Sequence, residues 1–238
     1  MQERTVEYTH GGVTLEAFMA WDDAIAGPRP GVAIAHAWSD RSPFEENKAR
    51  ALAAQGYVGF ALDLYGKGVR GGSPEENGAL MQPFLDDRAM LQERLGVAIA
   101  SMRAQDEVDT ARTAAIGYCF GGLCVLDVAR TGADIGGVAS FHGLLGAPGN
   151  TDGNAISAKV LVLHGNEDPM VPVDTVVALQ EELTAAGADW QIHTYGNALH
   201  SFTNPDANDR DFGTVYDASA DRRSWQSLIN FLAEVFSG

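Results

Sequence analysis

Two cysteines in 238 residues are too few for a disulfide framework and too sparse for a zinc cluster. Each thiol therefore needs its own explanation. Basic side chains are also scarce: 16 Lys and Arg stand against 32 Asp and Glu, a formal charge of −16. Such a surface repels phosphate backbones and anionic headgroups, which argues against nucleic acid or membrane as a partner. No stretch approaches about twenty uncharged apolar residues. The opening Met1-Gln2-Glu3-Arg4-Thr5 has no basic region leading into an apolar one. A soluble, cytoplasmic protein is expected. Internal repeats of about 20 to 50 residues are missing, which excludes solenoids and propellers. With no low-complexity linker either, one domain over 1–238 is expected.

What is present is a hydrophobic fraction of 45%, enough to fill a sizeable core. Val6 to Thr9 and Val13 to Ala20 alternate apolar and polar around His10-Gly11-Gly12, the pattern of an antiparallel hairpin. Continuous apolar runs follow at 31–36, 58–62, 113–117, 138–141 and 159–164, as strands buried on both faces require. Between them lie helical patterns from Phe44 to Gln55, Gly78 to Ala104, Phe120 to Arg130 and Val173 to Ala186. Another strand, Asp189 to Tyr195, and a last helix from about Asp221 to Phe236 complete the chain. The alternation predicts an α/β fold: a mostly parallel twisted sheet flanked by helices, with the N-terminal hairpin at one edge. Chemistry in such sheets gathers beyond the carboxyl ends of the strands.

The strand ending at Ile116 runs into Gly117-Tyr118-Cys119-Phe120-Gly121-Gly122 and then an apolar helical run. Strand, tight turn and helix are the setting of a nucleophile elbow, here with cysteine in the serine position. A chain that reverses over one residue strains that residue and leaves no room for side chains two positions either side, hence Gly117 and Gly121. Cys119 would then sit at a helix N-terminus, where unpaired N–H groups favour a thiolate. Cys124, within the apolar helical run, reads as core.

An acid and then a histidine should follow in the chain. Asp168 lies in the loop beyond the 159–164 strand, with prolines at 169 and 172 bracing it. Glu167 and Asp174 are its competitors. His200 occupies the loop after the next strand, while His10, His142, His164 and His193 read as structural. The oxyanion donors expected of such a site are the backbone N–H of Phe120 and one from Ala37 or Trp38 after the first core strand.

Taken together, His36-Ala37-Trp38, Ala53-Ala54-Gln55-Gly56-Tyr57-Val58, Asp63-Leu64-Tyr65-Gly66, the Cys119 elbow, His164 to Asp168 and His200-Ser201-Phe202 resemble the dienelactone hydrolase family of α/β hydrolases. The resemblance covers most of the chain. It implies a Cys-His-Asp triad that opens enol-lactones, with Cys119, His200 and Asp168 at the matching positions. Two positions depart from the family pattern. Ala37 stands where the founding enzymes place a glutamate, and Ser201 to Pro205 carries no basic residue to grip a substrate carboxylate. Arg41, Arg70, Arg88 and Arg222 are the arginines available as a substitute clamp. The expected function is hydrolysis of small ester, lactone or thioester bonds through an acyl-enzyme, with a small-molecule substrate, no metal and no cofactor. The competing expectation is a redox-sensing or non-catalytic small-molecule-binding member of the same fold.

Overall fold

The chain is described by a computed structural model covering residues 1–237. Its residues gather into two compact units, Met1–Ala115 and the chain from Ile116 onward.

In the first unit, β1 (Gln2–His10) and β2 (Val13–Trp21) form the antiparallel hairpin, paired from Gln2 with Trp21 to His10 with Val13. Its turn is Gly11-Gly12, both at positive φ, the backbone that a two-residue hairpin demands. Next come β3 (Arg29–Ala35), buried throughout, and β4 (Val58–Ala61), parallel to it. Between them, α1 (Pro43–Ala53) opens on a capping box in which Ser42 and Glu45 satisfy each other's backbone. The helical pattern at 78–104 is not one helix. It is α2 (Pro74–Asp86) and α3 (Arg88–Arg103), broken at Asp87, whose φ of −126° and ψ of 83° leave the helical region. The Asp87 side chain accepts from Met90 N–H and starts the second helix as its N-cap. The break was hidden because the apolar periodicity continues across it. Strand β5 (Val108–Tyr118) starts five residues earlier than its apolar run suggests, because Asp109 to Arg112 extend the strand with polar residues.

In the second unit, α4 (Phe120–Arg130) follows β5 after a single intervening residue and is buried on every side, its two charged residues, Asp127 and Arg130, being paired with each other. Strands β6 (Gly137–Phe141), β7 (Lys159–Gly165) and β8 (Trp190–Tyr195) are mutually parallel. Helix α5 (Val173–Ala185) joins the last two strands in sequence. A two-residue hairpin that the sequence analysis did not anticipate, β9 (Asn208–Asp209) with β10 (Thr214–Val215), precedes α6 (Ala218–Phe236), which Asp217 caps. The eight longer strands make one mixed sheet in the order β1-β2-β4-β3-β5-β6-β7-β8, so the N-terminal hairpin does form an edge. Among the described residues no helix is long and apolar enough to cross a membrane.

Packing in the first unit can be tested through two glycines. A Cβ on Gly59 of β4 would overlap the Ala49 backbone of α1, whereas one on Gly96, exposed on α3, would meet nothing. Gly59→Ala should cost about 1–3 kcal/mol and lower Tm by several degrees. Gly96→Ala should raise Tm slightly through helix propensity, about 1 kcal/mol at most. Differential scanning calorimetry of both variants reads the contrast, and equal melting temperatures would contradict the close contact.

Candidate active site

Cys119 is the residue between β5 and α4. Its φ of 55° and ψ of −116° lie where side chains are rarely found, and it is partly exposed although most of its neighbours are buried. The crowding that enforces this bend falls on two glycines. A Cβ on Gly117 would overlap the Gly121 carbonyl, and one on Gly122 would come within 2.6 Å of Gly143 Cα. The Cys119 amide donates to the Phe141 carbonyl at 3.1 Å, anchoring the bend to β6. Phe120, the expected oxyanion donor, is the first residue of α4.

The loop after β7 carries Asp168, and the loop after β8 carries His200. The structure joins them. His200 Nδ1 lies 2.7 Å from Asp168 Oδ2, and both side chains are inaccessible to solvent. The second carboxylate oxygen accepts from Met170 N–H at 2.9 Å, so each oxygen has a donor. Glu167 is exposed, bonded to its neighbour Asn166, and Asp174 caps its own turn through Thr175 N–H. Neither competes. The His200 backbone is fixed on both sides as well: its N–H donates to the Gly213 carbonyl, and its carbonyl accepts from Val215 N–H. The β9–β10 hairpin thus supports the loop that presents the imidazole.

Burial by itself would lower the pKa of His200. The negative charge of Cys119 outweighs it together with the bonds to Asp168 and Cys119, and the result is raised to about 10. His200 Nε2 is buried and has no hydrogen-bond partner among the described residues, and the charge of Cys119 is the largest influence that raises the ring. Because the folded value is raised above the ordinary 6.5, the pair's stabilisation is complete below that pH. It is lost as the pH climbs toward 10. His164, buried beside this pair, is pushed below its ordinary value by burial despite the Asp168 charge.

Ala37 and Trp38, the other expected oxyanion donors, lie in the first unit, where side chains hold the turn. The Ala37 amide donates to Oε1 of the buried Glu45 at 3.2 Å. His36 Nε2 accepts from Leu64 N–H, so Nδ1 carries the proton toward the Ala37 carbonyl, and Tyr65 OH donates to the Trp38 carbonyl. The sequence analysis overlooked Glu45. The Ser42-x-x-Glu45 capping box was its signal. It also assigned His142 to structure alone, yet that ring packs on His200 with centroids 5.2 Å apart.

A model of the dienelactone hydrolase family matches residues 15–236. The crystal structure of a dienelactone hydrolase-like promiscuous phosphotriesterase from metagenomic libraries superposes with a TM-score of 0.93 at 36% identity. It covers 99% of this chain and 98% of that one. An uncharacterized protein of Caenorhabditis elegans is 40% identical over 159 residues, 64% of this chain and 98% of its own length. A putative carboxymethylenebutenolidase of Yersinia pestis is 26% identical over 237 residues, 94% of this chain and 85% of that protein.

Removing the sulfur should expose what holds the His200 proton. In Cys119→Ala, burial is opposed by Asp168 alone, so the His200 pKa should fall by on the order of one to two units. An NMR titration of the imidazole resonances measures this. An unchanged midpoint would mean that the sulfur does not face the ring.

Proposed function

Because the chain belongs to the dienelactone hydrolase family, we propose that it hydrolyses small esters and lactones through an S-acyl intermediate on Cys119, with His200 and Asp168 completing a triad. The observation that carries this reading is the buried Asp168–His200 bond of 2.7 Å, with Cys119 as the influence on the other side of the ring.

In the proposed cycle His200, raised to about 10, starts protonated, and Cys119 acts as the thiolate nucleophile. Sγ attacks the acyl carbon, a C–S bond forms, and the carbonyl π electrons move onto oxygen. The α4 N-terminus, led by the Phe120 N–H, meets that charge. Collapse expels the alkoxide, which takes the proton from Nε2. A lactone's leaving group stays tethered, giving a hydroxy acid. The now neutral imidazole draws a proton from water, the nascent hydroxide attacks the thioester, and thiolate departs as the carboxylic acid forms. Asp168 holds the Nδ1–H tautomer throughout and stabilises the imidazolium.

A second substrate class has specific support, since the phosphotriesterase relative shares 36% identity over 99% of the chain. An activated phosphotriester would lose its aryloxide to the same thiolate, leaving an S-phosphoryl group for water to remove.

Rapid-quench mass spectrometry with an aryl ester should find a transient acyl mass on Cys119. Cys119→Ala should abolish turnover, and Asp168→Asn should lower kcat by about 10³- to 10⁴-fold, the scale of losing an orienting carboxylate. Undiminished esterase activity in Cys119→Ala would end this reading. Sulfenic acid on Cys119 without any turnover would favour the redox sensor.

A further inference from the structure

Among the described residues, the non-glycine positions with positive φ are Cys119 (55°), His142 (37°), Asn197 (65°) and Ser201 (56°). Cys119 is the proposed nucleophile, and Asn197 and Ser201 bend the chain on either side of His200. His142 has no such duty in the triad. Strained backbone survives only where its surroundings enforce it, and it concentrates at working sites.

His142 follows the last residue of β6, and the peptide that leads into it is held at both ends. The Phe141 carbonyl accepts the Cys119 amide at 3.1 Å, and the His142 amide donates to the Leu163 carbonyl of β7 at 2.8 Å. Directly after it, Gly143 abuts Gly122 in the first turn of α4. The residue is therefore bound rigidly to the backbone that presents Cys119. Its ring is 2% exposed and stands edge-on to His200 at an interplanar angle of 64°. Its Nε2 lies 2.8 Å from the hydroxyl of Thr203, itself fully buried, and Phe202 packs on it at 5.1 Å. Both neighbours belong to the turn that begins at His200.

The Asp168 bond holds His200 at one atom. A ring hydrogen-bonded only through Nδ1 can swing about that contact and carry Nε2, the atom that must reach sulfur, off its line. A second flat ring against it, tied in turn to the same loop, removes the swing. We propose that His142, braced by Thr203, is a positioning residue that keeps the His200 imidazole in register with Cys119. The claim rests on the reading of Cys119, His200 and Asp168 as the reacting groups.

Thr203→Val removes the hydroxyl and keeps the shape, whereas Thr203→Ser keeps the hydroxyl. With an aryl ester, Thr203→Val should lower kcat about tenfold or more, the scale on which small misplacements act. KM should stay within about twofold and Thr203→Ser should return kcat to within about threefold of wild type. His142→Phe, which retains a ring but no nitrogen, should match Thr203→Val and stands in for it should that variant not fold. The His200 Nδ1–H resonance should be sharp in wild type and Thr203→Ser, and broadened or displaced in Thr203→Val. Wild-type kcat in both Thr203→Val and His142→Phe would overturn the proposal. So would a Thr203→Ser as slow as Thr203→Val, or losses that merely follow the fraction of folded protein. If the wild type turned over no ester, the functional reading would have failed, and the NMR comparison would still decide the positioning claim.

Discussion

The hydrogen bond between Asp168 and His200 organises the second unit. A carboxylate with no solvent access is costly unless each oxygen finds a donor, and here the donors are an imidazole and the amide of Met170. Supplying them requires the loop after β7 to double back, so that Asp168 N–H reaches the Gly165 carbonyl. It also requires the loop after β8 to come close enough that Gly165 touches the carbonyls of Ala198 and Leu199. Gly213, at a positive φ, lies against the ring of Pro169 while its carbonyl accepts from His200. One ion pair thus dictates the course of three loops, and removing either partner would leave the other buried and uncompensated.

Among the described residues, four non-glycine positions take positive φ, and two of them, Asn197 and Ser201, lie in the loop that carries His200. Regular elements supply the support: β5, β6 and β7 hold Cys119 and His142 through main-chain bonds, and α4 presses glycine to glycine against the turn at Gly143. Backbone energy of order 1–3 kcal/mol per strained residue is sustained by packing that surrounds the site.

How much of this was legible in the sequence depends on distance along the chain. The elbow was readable because its causes are local: glycines flank Cys119 within three residues, between a strand pattern and a helix pattern. Asp168 and His200 followed from chain order and from their places after apolar runs, although Glu167 was separated from Asp168 only by which side chain the fold buries. The contact of His142 with His200 and Thr203 was not readable. It joins residues about sixty positions apart in different loops, and neither carries a periodic signal. The break at Asp87 was missed for the opposite reason, since a capping side chain interrupts a helix without interrupting its apolar pattern.

Cysteine in the elbow, in place of serine, changes what the ion pair does. A hydroxyl stays protonated until a base removes its proton during attack, so a serine site needs a neutral histidine at rest. In this site the charge on sulfur is what raises His200, and the Asp168 bond adds to it. On the proposed mechanism the proton that the leaving group needs is therefore in place before substrate arrives, and attack requires no base. The demand on His200 moves to the second half of the cycle. In the proposed acyl-enzyme sulfur would be uncharged, its influence on the ring gone, and burial would oppose the imidazolium with only Asp168 against it. The ring gives up its proton more readily at that stage, when it must act as a base toward water. On the proposed mechanism the acylation state of Cys119 would switch His200 between acid and base, and this works only if Nε2 keeps its place in both halves.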